Sequence, residues 1–112
     1  MNPRREAWLW MVQRASAAVL AFCVLVHLAT MIFAVRGGLS AAEILGRTRG
    51  NIAWAAFYGT FVIAVALHAP IGFRAMLGEW FGWRGRSMEM AMILFAALLG
   101  ALGFRAILGV VS

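Results

Sequence analysis

Three long stretches of this chain carry almost no charge, and nothing else in it limits the fold so severely. Ala15–Val35 runs for 21 residues without an Asp, Glu, Lys or Arg. Ile52–Phe73 is equally free of them, and Met90–Val111 holds one, Arg105. At a rise of about 1.5 Å per residue, each stretch covers roughly the 30 Å of a bilayer's hydrocarbon. Helix is the one single-segment structure that satisfies its own backbone without water. The expectation is an all-α membrane protein, a single domain over 1–112. Its three transmembrane helices would span about 15–35, 52–73 and 90–111, packed as an up-down-up bundle. Composition agrees: 64% of residues are hydrophobic and the mean hydropathy is +0.89, where soluble domains are about half apolar. The first stretch follows a basic segment, as a signal peptide's core would. It is too long for one, and no small-x-small cleavage site precedes Arg36, so it is read as a retained span.

The charges sit around these stretches. The net charge is +6 and all ten basic residues are arginine. They occur singly or in pairs between apolar blocks, which is membrane-flanking charge and not a nucleic-acid patch. With three spans, the N-terminus and the second connection share one side. That side would hold Arg4, Arg5, Arg14, Arg74, Arg84 and Arg86; the other would hold Arg36, Arg47, Arg49 and Arg105. The imbalance favours a cytoplasmic N-terminus in a cell inner membrane. Trp8, Trp10, Trp80 and Trp83 fall on the same side as an interfacial belt, with Asn2–Trp10 expected to lie along the surface. The connections Arg36–Asn51 and Arg74–Glu89 are too short for a soluble catalytic domain. The lone Cys23 excludes an internal disulfide and cannot by itself hold zinc or an iron–sulfur cluster.

Both histidines lie inside spans, His27 in the first and His68 in the second. An imidazole in lipid needs partners for its ring nitrogens, either hydrogen bonds to a neighbouring helix or a metal. In a membrane the metal reading points to haem iron. His27 lies about 20 Å of helix beyond Arg14, and His68 about 17 Å before Glu79. If those two charges mark one interface, both rings could face a single haem. If Arg74 marks it, His68 is only about 9 Å deep and the two would serve different haems. His68 shares a helical face with Phe57, Phe61, Ala64, Gly72, Ala75 and Glu79. Gly72 offers a bare backbone to a flat macrocycle, and Pro70 frees the carbonyl of Ala66. His27 shares a face with Ser16, Leu20, Cys23, Met31 and Ala34.

The run H-A-P-I-G-F-R-A-M-L-G-E, His68–Glu79, is similar to the H-x3-G-x-R-H-x3-D signature of the cytochrome b membrane-anchor subunit of succinate dehydrogenase. W-M-V-Q-R-A-S-A, Trp10–Ala17, resembles that family's S-x-x-H-R-x-S-G at the entry of its first span. The resemblance covers roughly Gln13–Val111. It implies that His68 is an axial ligand of haem b, Gly72 the glycine of close approach and Arg74 a neighbour of the haem propionates. Glu79 would replace the family's aspartate, and Arg14 and Ser16 would stand beside a quinone. Trp10, Gln13 and Ala75 depart from the pattern, at a quinone-site serine and at two histidines. His27 resembles the first-span histidine of two-haem fumarate reductase anchors, which implies a second, distal haem. One haem b, or two shared with a partner, would then relay electrons between an iron–sulfur subunit and membrane quinone. The implied partners are that iron–sulfur subunit, a flavoprotein subunit, and a second membrane-anchor subunit or a second copy of this chain. Two other readings remain: the haem b anchor of another respiratory dehydrogenase, and a haem-free membrane scaffold or transporter subunit.

Overall fold

A computed structural model describes residues 2–112, and every regular element among them is a helix: α1 (Pro3–Arg36), α2 (Ala41–Thr48), α3 (Ile52–Phe81) and α4 (Arg86–Val111). Three of these, α1, α3 and α4, are long and apolar enough to cross a membrane. The expected all-α, three-span bundle is what forms.

The helices outrun the apolar stretches that predict them. Asn2 caps α1, its side chain accepting from the Arg4 amide at 3.0 Å. Pro3 follows at the start of the helix, where its missing N–H costs no hydrogen bond. The helix then continues for 34 residues, about 51 Å. Asn2–Trp10 is therefore no separate surface segment, as expected above; nearly all of it is the opening of the same rod. Likewise α3 runs on to Phe81 and α4 begins at Arg86. Arginine and glutamate are good helix formers. They mark where lipid ends without ending the helix.

The connection after α1 also contains structure that hydropathy does not reveal. Ser40 caps α2 and accepts from the Glu43 amide at 3.2 Å, while the Glu43 carboxylate accepts from the Ser40 amide at 3.2 Å. This reciprocal capping box starts an eight-residue helix. Gly38 and Gly50, both with left-handed backbone (φ +64 and +67), turn the chain on either side of it.

The central helix is α3, which packs against α1 on one side and α4 on the other. Two polar joints fasten the ends. At the end that carries the N-terminus, Arg74 on α3 donates to Glu89 on α4 (2.8 Å) and to Glu6 on α1 (3.2 Å), and Arg5 on α1 also pairs with Glu89. At the far end, the Thr48 hydroxyl donates to the Val110 carbonyl and the Gly50 amide donates to the Val111 carbonyl at 2.7 Å. These carbonyls belong to the last turn of α4, where no intrahelical donor remains.

Candidate functional site

The second-span histidine lies on the seam between α1 and α3. His68 Nδ1 is 3.3 Å from Ser16 Oγ, and the Ser16 hydroxyl donates to the Gln13 carbonyl at 3.1 Å. Ser16 is 5% exposed, so the contact is closed to lipid and water alike. One turn along α3, Gly72 faces the Gln13 side chain; a Cβ built there would stand 3.0 Å from Gln13 Nε2. Here the missing side chain admits a carboxamide from α1. Gln13 Oε1 is buried and has no hydrogen-bond partner among the described residues. A buried acceptor left bare in this way costs about 1–3 kcal/mol.

His68, Ser16, Gln13 and Gly72 thus form one cluster. Arg14 stands outside it. Residues two apart on a helix point to nearly opposite faces: Ser16 enters the seam, while Arg14 is exposed with its guanidinium 5.1 Å from the Trp10 ring centre. This is a cation–π contact on the outer face of α1. Arg74 is drawn the other way, toward Glu89 and Glu6. Glu79 is exposed.

The first-span histidine occupies a different level. The His27 ring meets Tyr58 and Phe61 edge-on, with centroids 5.9 Å away in each case. It lines a cavity of about 280 Å³ that α3 and α4 complete with Tyr58, Phe61, Val62, Gly103 and Ala106, among others. Its ring nitrogens make no hydrogen bond among the described residues, whereas His68 has Ser16. Counted along the helices, Ser16 to His27 and Phe61 to His68 put the two imidazoles about 10–16 Å apart in depth. One iron cannot bind both. Of the two arrangements left open by the sequence, the one with histidines at separate depths is realised.

Some of this was not expected from the sequence. No motif pairs Arg74 with Glu89 or Glu6. The signal was available, since Arg74 closes one apolar stretch and Glu89 precedes the next, which puts both at one interface. Tyr58 was not singled out; its place opposite His27 depends on helix rotation and has no motif.

No solved structure and no curated protein gives a significant match to the chain. Residues 1–104 match the family model of the succinate dehydrogenase/fumarate reductase transmembrane subunit. The match takes in all of α1, α2 and α3 and most of α4, and the chain belongs to that family. It is a multi-pass membrane-anchor subunit, and membership implies association with the catalytic subunits of such a complex.

Proposed function

We propose that this member of the succinate dehydrogenase/fumarate reductase family holds haem b through His68 and helps pass electrons between an iron–sulfur subunit and quinone. The observation that carries this reading is the donor set at the α1–α3 seam. A bare metal ion would need three or four protein donors, and no group of three His, Cys, Asp or Glu side chains comes together among the described residues. A single imidazole held by a buried hydroxyl suits a metal that brings its own ring of nitrogens, as haem iron does.

Bound there, haem supplies one-electron transfer; the chain's residues supply its position and surroundings. His68 would offer a ring nitrogen to the iron. His27 is too far along the bundle to reach the same haem, so any second protein nitrogen would be supplied by a second membrane-anchor subunit or a second copy of this chain. Arg14, exposed beside Trp10, is a cation free to meet a quinone oxygen or a lipid headgroup. Ser16, already engaged with His68, is poorly placed to help it. The N-terminal end, with six arginines of which Arg5 and Arg74 are paired to carboxylates, is the face for the iron–sulfur subunit and lies in the cytoplasm of a cell with this chain in its inner membrane.

His27 supports a further part of the reading. Its depth and its unpartnered ring nitrogens suit a second, distal haem shared with the partner. The test is haem content by pyridine haemochrome in the purified complex. His68→Ala should remove one haem and the reduced-minus-oxidised bands that go with it, and His27→Ala should remove the second. Full haem content in His68→Ala would end the assignment of that ligand.

A further inference from the structure

We propose that Ser16 is a positioning residue that fixes the tautomer of His68 and so tunes the iron it binds; this rests on the reading of His68 as a haem ligand. The argument is a count of protons. A serine hydroxyl has one proton to give and two lone pairs. The Gln13 carbonyl, 3.1 Å away, can only accept, so a bond there uses the Ser16 proton. Toward His68 Nδ1, 3.3 Å away, only its lone pairs remain. With the Ser16 proton on that carbonyl, Nδ1 would carry the hydrogen and donate it, which would leave the lone pair on Nε2. That is the nitrogen a metal would take.

Burial makes the arrangement stick. Ser16 is 5% exposed and lies between two helices, so water cannot readily replace it. The 3.3 Å separation is long for a hydrogen bond of this type; coordination at Nε2 would polarise the Nδ1–H bond and draw the pair closer. An acceptor on Nδ1–H gives the imidazole partial imidazolate character and makes it a stronger donor to iron. A stronger donor stabilises the ferric state, so the hydrogen bond lowers the reduction potential. His27 has no such acceptor among the described residues. The two histidines would then hold unequal irons.

Two measurements test this. In the 15N-labelled full chain in detergent micelles, without haem, His68 should show the chemical shifts of an Nδ1-protonated ring; an Nε2-protonated ring overturns the proposal. In the complex, Ser16→Ala should retain the wild-type haem content while the midpoint potential of the His68-dependent haem moves upward. Ser16→Thr, which keeps the hydroxyl, should return the potential toward wild type. An unchanged potential and unchanged low-spin ferric electron paramagnetic resonance spectrum in Ser16→Ala would refute the role of Ser16 while leaving the ligand in place. Failure of the ligand itself would appear separately, as undiminished haem in His68→Ala.

Discussion

An alanine at Gly103 would place its Cβ 2.5 Å from Val62 Cγ1 and 2.7 Å from Val62 Cγ2. Carbon atoms rest at about 3.5–4.0 Å, so α3 and α4 would have to part by about 1 Å or Val62 would have to turn away. Turning is the harder course, because a β-branched residue in a helix is nearly confined to one χ1 rotamer. Separation disturbs the packing of the central helix and enlarges the cavity beside His27, which Val62 and Gly103 both line. Overpacking of this kind costs about 1–3 kcal/mol, and one or two kcal/mol is already a factor of about 5–30 in the folded-to-unfolded ratio. The assay is thermal unfolding of the purified chain in detergent, followed by circular dichroism, for wild type, Gly103→Ala, Val62→Ala and the double variant. Truncating Val62 removes both methyl groups that the new Cβ strikes. The double variant should therefore be more stable than the sum of the single changes by at least about 1 kcal/mol, well beyond the error of about 0.3–0.5 kcal/mol expected for independent sites. Single changes that simply add would refute the close approach of α3 and α4; Gly103→Ala alone does not decide it, because alanine gains about 1 kcal/mol over glycine in a helix interior.

Glu89→Gln should loosen the junction of α1, α3 and α4 by about 1–2 kcal/mol, the worth of a charged hydrogen bond discounted for partial solvent access. The Arg74 and Glu89 side chains are 23% and 28% exposed. Hydrogen exchange over the first turns of α1 should accelerate, and added salt should narrow the gap from wild type; a salt-independent gap would point to lost packing instead. For topology, a cysteine at Arg84 should react with an impermeant maleimide from the side of the N-terminus only, and one at Glu43 from the opposite side only. Cys23, 2% exposed, should stay silent throughout.

What the sequence disclosed and what it concealed divide along physical lines. The three spans were legible because the energetics of lipid act on 20 residues at once, and no local detail overrides so long an apolar run. Their ends were not, since charge reports the edge of the hydrocarbon while Asn2, Asn51 and Gly82 end the helices. The Ser40-x-x-Glu43 capping box is present in the sequence, but hydropathy gives the short helix behind it no signal. His68 could be picked out as an imidazole in an apolar span. Its acceptor could not, because Ser16 lies 52 residues away and meets it only through the relative rotation of two helices. The motif resemblance groups Arg14 with Ser16, whereas helical geometry turns them to different faces. The pairing of Gln13 with Gly72 has the same origin: sequence shows a bare glycine but not which neighbour fills the space.

The joint at the far end of the bundle bears on how the protein is made. Thr48 and Val110 are 62 residues apart, so their bond must wait until the last span has been synthesised and has crossed the bilayer. Until then the tail of that span presents bare carbonyls to the membrane surface. The donors they need, the Thr48 hydroxyl and the Gly50 amide, lie at and just past the end of α2. The first connection thus fastens the end of the third span, and loss of the Thr48 hydroxyl would free that end to fray.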